Sequence, residues 1–322
     1  MVNELTKSFK TYNKGKGLLG SLKSLARREQ IDIFAISNVS ITINKGEIVG
    51  LLGLNGAGKT TLIKLLTGIL YPTSGQISVL GYNPFDKKKS FLKKIALVTG
   101  SKGQLFWDIN ADDNFELLRE IYEIGKDDYE YYLDDITKKL NINHLMKTQI
   151  RRLSLGERMK MEITGALMHL PELIFLDEPT LGLDVNAQEE LRSFLNHYAK
   201  VNNCTIIITS HNLEDIAQMC TRLILINNGG IHYDGLTIDF YNMYAKLKNV
   251  EIELKDISKY KGDFCNAHNV KGNRITFNID NDIVTSTIQQ LFEKYTSDII
   301  DVKISEPKLE ILLKNILFGR TQ

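Results

Sequence analysis
The chain has 322 residues, 43% of them apolar and 25% charged, and its net charge is +1. That is an ordinary globular mixture with room for one large and one small domain; it excludes a disordered chain, and no global charge recruits nucleic acid or a membrane surface. The N-terminal MVNELTKSFK lacks an apolar signal core, no apolar run approaches the ~20 residues that span a bilayer, and Cys204, Cys220 and Cys265 have no metal or redox spacing, so a reducing cytosolic setting is expected.

Phe9 to Gln30 is basic and irregular, with Lys10, Lys14, Lys16, Lys23, Arg27 and Arg28. Leu18, Leu22 and Leu25 recur within it at helical spacing, which predicts a short amphipathic helix, read first as a solvated insertion and alternatively as a contact for anionic lipid headgroups or a membrane partner. Phe34 to Ile43 reads as a strand, with Val39, Ile41 and Ile43 alternating. After the turn KGE comes a buried strand, EIVGLLGL, and then a helix over Thr60 to Thr67. Asp112 to Ile150 is helical, and its Tyr129–Tyr132 cluster is expected to pack between helices. The short apolar runs Leu173–Leu176, Thr205–Ile208 and Leu223–Ile226 alternate with helical segments and predict a parallel or mixed sheet covered by helices. Near Ala245 the pattern changes: VEIEL, RITFNID and IDVKIS alternate, Ile283–Tyr295 is helical, and a helix restarts after Pro307. The expected organisation is an α/β domain over 1–240, with a helical subdomain at about 104–168, and a small α+β domain over 245–322.

The stretch GLNGAGKTT, Gly53 to Thr61, fits the pattern G-x-x-x-x-G-K-[ST] in full. A loop that wraps phosphates turns its backbone N–H groups inward, so side chains at Gly53, Gly56 and Gly58 would obstruct it. The helix that follows aims its positive dipole end at the anion. Lys59 brings a mobile charge to the β- and γ-phosphates, and the Thr60 hydroxyl can ligate Mg²⁺. Asn55, Ala57 and Thr61 complete the binding loop. The apolar strand LIFLD ends in Asp177, beside the loop strand, where a carboxylate can hold Mg²⁺. Glu178, one residue on, can act as a general base on water.

Together with RRLSLGERMK these motifs resemble the ATP-binding cassette (ABC) ATPases. LSLGE, Leu153 to Glu157, is similar to that family's signature; LGLD, Leu181 to Asp184, is similar to its D-loop; and TSHNLEDI places His211 at its switch histidine. The resemblance spans Asn3 to about Leu236. It implies a P-loop ABC fold, ATP and Mg²⁺ as ligands, and a pair of ATPase subunits in which the signature of one caps the nucleotide of the other. Ser154, Leu155, Gly156 and Glu157 would then act in trans, with Asp184 at the interface, Glu178 activating water and His211 holding the γ-phosphate or that water. Phe9 is the expected adenine-stacking aromatic, with Tyr12 the alternative.

Within the family, SFKTY, LTGILYPTSG, VLGYNPF, GQLFWDI and the C-terminal extension resemble ATPase subunits of ABC-2-type exporters, nearest the drug- and antibiotic-resistance type. That implies a homodimer on a separate membrane permease, peripheral at the cytoplasmic face, with no nucleic-acid partner. Polysaccharide-export ATPases share the basic insert but usually lack DEPTLGLD. Non-transport ABC ATPases usually carry coiled coils, zinc modules or two cassettes, and a P-loop small-molecule kinase needs no signature.

Three positions depart from the family pattern. Counting from the strand KIALV puts Ser101 at the family's Q-loop, whereas counting back from LFWD favours Gln104, which would ligate Mg²⁺ through its carbonyl. Leu155 replaces a Gly. Glu157 replaces a Gln and places negative charge beside an anion unless Arg152 or Arg158 offsets it. Phe106 and Trp107 are read either as packing or as lining for a groove that receives a permease helix. The remaining histidines, His144, His169, His197, His232 and His268, show no ligand spacing and are read as structural.

Overall fold
The computed structural model describes residues 1–12, 30–100, 103–245, 247–260, 269–295 and 297–305. The helix expected at Leu18–Leu25, Ser101, Cys265, His268 and the helix expected after Pro307 lie outside them. The chain divides into two compact units, Met1–Gly235 and Leu236–Gln322.

The larger unit holds two sheets. β1 (Val2–Tyr12) pairs antiparallel with both β2 (Gln30–Ile41) and β4 (Ser74–Ile77). Phe9 to Tyr12, expected to be irregular, pairs instead with Gln30 to Ile33. The β1–β2 register slips near Asn38, whose φ of 50° marks the irregularity, so Ile36, Val39 and Ile41 all reach the core although strict alternation would not put them there.

The second sheet contains β3 (Ile48–Leu52), β5 (Ile95–Thr99), β6 (Leu173–Asp177), β7 (Thr205–Ser210), β8 (Arg222–Asn227) and β9 (Gly230–Leu236) in the order β5-β6-β7-β3-β8-β9. β5, β6, β7, β3 and β8 are parallel. Their near-continuous apolar runs suit strands covered on both faces, and β6 and β7 are buried throughout. Helix α1 (Lys59–Leu66) follows β3, and one core of Leu5, Ile36, Leu51, Leu62, Leu65 and Phe175 joins the two sheets to it.

Between β5 and β6 lie α2 (Ala111–Tyr122), α3 (Lys126–Lys139) and α4 (Leu155–Leu167). A Cβ at Gly165 would lie 2.8 Å from Leu118 Cδ1, so α2 and α4 approach closely there. Within the tyrosine cluster Tyr131 is 69% exposed, whereas Tyr129 is half-buried with the Arg119 guanidinium of α2 5.9 Å from its ring centre, so the expected packing between helices is made by Tyr129. Next come α5 (Val185–Asn202) after β6 and α6 (Leu213–Met219) after β7.

The smaller unit has α7 (Thr237–Ala245), β10 (Leu247–Leu254), β11 (Asn269–Lys271), β12 (Arg274–Asp280), α8 (Val284–Tyr295) and β13 (Ile299–Ser305). Its antiparallel sheet runs β11-β12-β10-β13. Val250, Ile252, Leu254, Ile275 and Ile279 line one face and pack with Val284 and Tyr295 of α8.

Candidate functional site
The carboxyl ends of β3, β6 and β7 meet at one edge of the parallel sheet, the edge where open α/β sheets bind ligands. β3 feeds the phosphate loop. At its end Gly58 takes φ 112°, and a Cβ there would lie 2.4 Å from the Ala35 carbonyl oxygen, so only glycine fits. A Cβ at Gly53 would meet the Ile226 carbonyl oxygen at 2.3 Å. Ala57 is buried, whereas Asn55 and Gly56 are exposed at the tip. No side chain caps α1, which leaves its first-turn amides as donors for an anion, Thr61 among them.

Lys59 is 6% exposed, and its ammonium donates to the carbonyls of Gly53 at 2.7 Å and Leu54 at 3.2 Å. It also lies 3.5 Å from Glu178 Oε1. The other Glu178 oxygen, Oε2, is 2.7 Å from His211 Nδ1. A cation, a carboxylate and an imidazole thus form one chain of contacts at the mouth of the loop.

Beside it, the Thr60 hydroxyl donates to both Asp177 oxygens, at 3.1 and 2.8 Å. The expectation that β6 adjoins the loop strand is corrected, because β7 lies between β3 and β6. Thr60 bridges that gap from α1. The hydroxyl and the buried carboxylate, facing each other within hydrogen-bond reach, are the oxygen donors a hard divalent cation takes, so the residues present fit Mg²⁺.

β7 supplies the supports. Thr209, fully buried, donates to Asp177 Oδ1 at 2.6 Å and accepts from the Glu178 amide at 3.0 Å. Glu178 has φ 56°, a costly conformation for a side-chain-bearing residue, and the Thr209 contacts hold it there. Asp215 on α6 accepts from Thr180 at 2.9 Å and Ser210 at 3.5 Å and pairs with Arg192 at 3.3 Å. It ties the segment after Glu178 to the residue before His211. Sequence reasoning assigned no role to Thr209 or Asp215, since both act through partners distant in the chain.

Ser154 is the N-cap of α4, in a reciprocal capping box with Glu157. Glu157 Oε2 accepts from the Ser154 amide at 2.9 Å and its hydroxyl at 2.8 Å, which holds the Glu157 carboxyl below the usual carboxylate range. The charge that looked misplaced in the sequence thus has a local structural use. Neither Arg152 nor Arg158 forms an ion pair with it; the Arg158 guanidinium lies 4.9 Å from the centre of the Trp107 ring. Leu155 Cδ2 lies 2.9 Å from where a Cβ on Gly182 would be, and Gly156 faces the methyl of Ala187. The LSLGE and LGLD segments therefore touch within one chain. Asp184 caps α5 by accepting from the Ala187 amide at 2.9 Å.

Gln104 is not brought to Thr60 or Asp177 by a hydrogen bond. Its amide side chain donates to the Glu162 carbonyl at 3.2 Å, and its backbone N–H donates to the Glu162 carboxylate at 2.8 Å. Burial raises the pKa of Glu162 despite these donors. Phe9 stands 45% exposed on β1, with Lys7 5.2 Å from its ring centre. Phe106 and Trp107 are 60% and 50% exposed, with the Arg158 guanidinium over the Trp107 ring. His169 is structural: it stacks on Tyr122 at 3.9 Å and bonds the Ile95 carbonyl at 3.1 Å.

A family model described as ABC transporter matches residues 36–181. The chain is similar to the ABC transporter ATP-binding protein NatA of Bacillus subtilis (strain 168), 31% identical over 207 residues, which are 64% of this chain and 84% of NatA. It is similar to the bacitracin transport ATP-binding protein BcrA of Bacillus licheniformis, 34% identical over 225 residues, 70% of this chain and 72% of BcrA. Among solved structures it is similar to cbiO1 from Clostridium perfringens, part of the ABC transporter complex cbiONQ, with TM-score 0.60 and 26% identity over 75% of this chain and 89% of that one.

Proposed function
The chain belongs to the ABC transporter ATP-binding proteins, and on that premise we propose that it hydrolyses ATP to drive an ABC-2-type exporter through a separate membrane permease. The observation that carries this reading is the Lys59–Glu178–His211 chain of contacts beside the Thr60–Asp177 pair. Family membership implies ATP binding and hydrolysis. The name of BcrA, a bacitracin transport ATP-binding protein, supports the export side. Among the described residues no helix is long and apolar enough to cross a membrane; we propose a peripheral subunit at the cytoplasmic face.

In this reading ATP lies with its phosphates on the loop from Asn55 to Thr61 and its adenine against Phe9. Lys59 leaves the Gly53 and Leu54 carbonyls for phosphate oxygens. Glu178 takes a proton from the attacking water, and His211, already on Glu178 Oε2, fixes that carboxylate and meets the γ-phosphate. Mg²⁺, when bound, neutralises phosphate charge, and Thr60 and Asp177 would hold it. Gln104 would join that set through its side-chain oxygen, since its contact to the Glu162 carbonyl uses the side-chain nitrogen. Two such subunits pair, with Ser154, Leu155, Gly156 and Glu157 of one over the nucleotide of the other and Asp184 between them. The unit from Leu236 onward is an accessory domain, and Phe106 and Trp107 face the permease.

The test is Glu178→Gln. With the general base removed, the purified chain is expected to hold ATP and to run as a dimer on sizing in ATP and Mg²⁺. A monomer under those conditions, with the permease present, sinks the paired-subunit reading.

A further inference from the structure
Resting on the paired-subunit reading above, we propose that Glu157 is a positioning residue. It holds the signature serine in a self-capped state that competes with the partner's nucleotide phosphate, and so sets how much ATP is needed to close the pair.

A serine hydroxyl has one proton to give. Ser154 gives it to Glu157 Oε2 at 2.8 Å, the same oxygen that accepts the Ser154 amide at 2.9 Å. The Glu157 amide donates back to Ser154 Oγ at 3.3 Å. The positive end of α4 is thus already met by a carboxylate belonging to the same turn. A phosphate oxygen presented to this turn seeks the same proton and the same field. To serve it, Oγ must rotate off Oε2, and the Glu157 carboxylate is left beside a second anion. His144 and Lys160 attract the Glu157 carboxylate only through space, more weakly than its hydrogen bonds from Ser154. Arg158 sits over Trp107, and Lys160 is engaged by Glu190 and by the Leu140 carbonyl at 3.2 Å. The capping box uses the amides of Ser154 and Glu157 but not that of Gly156, so Gly156 can still meet a phosphate while the serine is held back.

The competition predicts a graded series. Glutamine still fits a capping box, so Glu157→Gln keeps the helix start while replacing a charge-assisted bond with a neutral one about half as strong. Glu157→Ala removes the competitor altogether. The expected result with the full-length chain is a half-saturating ATP concentration that falls from wild type to Glu157→Gln to Glu157→Ala. The total fall is about fivefold or more, the size of one net hydrogen bond. Thermal melting of each variant checks that α4 still folds, and Glu157→Gln carries the test if Glu157→Ala does not fold.

A Ser154→Ala background separates competition for the proton from loss of charge alone. There, Glu157→Gln should shift half-saturation much less. An unchanged or raised half-saturation in Glu157→Gln overturns the proposal, as does an equal shift with and without Ser154. A wild-type chain that shows no ATP turnover and no ATP-dependent dimer overturns the functional reading itself, and the proposal with it.

Discussion

Thr209→Val removes one hydroxyl from the buried end of β7 and leaves the side-chain volume nearly unchanged. That hydroxyl donates to the Asp177 carboxylate at 2.6 Å, a charge-assisted bond whose loss costs about 1.5–3 kcal/mol. It also accepts from the Glu178 amide, which would keep only the longer contact to the Thr209 carbonyl at 3.3 Å, a further cost of about 0.5–1 kcal/mol. Together these are about 2–4 kcal/mol, a large part of the about 5–15 kcal/mol that stabilises a typical domain. For a unit the size of Met1–Gly235 the expected fall in Tm is about 4–16 °C. Glu178, at φ 56°, would lose the shorter of the two contacts its amide makes to Thr209, so the carboxylate drifts from the position it shares with Lys59 and His211. Turnover should fall about tenfold or more through kcat, with KM for ATP changed little. Melting curves and steady-state ATP hydrolysis test both halves. A Tm within about 2 °C of wild type together with an unchanged kcat would refute the assignment of Thr209 as the support of both carboxylates.

Lys59→Ala removes the ammonium from the loop and is expected to abolish ATP turnover; an unchanged rate in the purified chain would remove the phosphate-loop assignment. Asp215→Asn keeps the side-chain shape but loses the charge that pairs with Arg192 and weakens acceptance from Thr180 and Ser210, so kcat should drop while ATP binding persists. Equal losses in both would make its role global folding instead. Burial lowers the His169 pKa to about 4, so the unfolded chain takes up a proton between pH 6.5 and 4 that the folded chain refuses. The contribution is intact above about pH 6.5 and is lost as pH falls toward 4, amounting to about 3 kcal/mol at the acid end. His169→Phe keeps a ring on Tyr122 and should flatten that arm of a denaturation series; an unaltered acid arm would show that other groups cause it.

What the sequence disclosed follows the distance over which each pattern acts. The phosphate loop, LIFLD and the apolar runs of β6, β7 and β8 are consecutive residues whose chemistry is local, and they were readable. Glu157 was readable as well: Ser154-x-x-Glu157 before a helical run is a capping-box pattern, and reading it only as a signature concealed this. Thr209 and Asp215 were not readable, because their partners Asp177 and Thr180 lie on another strand and its following loop. The position of β7 between β3 and β6 was hidden for the same reason, since strand order leaves no mark in one strand's own residues.

That strand order explains why the site's supports gather at the end of β7. Being central, β7 ends between the phosphate loop and the acidic strand end, and three successive residues there have separate tasks. Thr209 holds Asp177 and the Glu178 backbone, Ser210 reaches Asp215, and His211 holds the Glu178 carboxylate. Asp215 in turn holds Thr180, whose carbonyl accepts from Gln188, and Gln188 also donates to the Leu183 carbonyl next to Asp184. A displacement of His211 by a phosphate would therefore act on Glu178 directly and on the Leu181–Asp184 turn through Asp215 and Gln188. The turn proposed to lie between subunits and the residue proposed to meet the γ-phosphate share one hydrogen-bonded frame, so closure of the pair and alignment of Glu178 are expected to occur together.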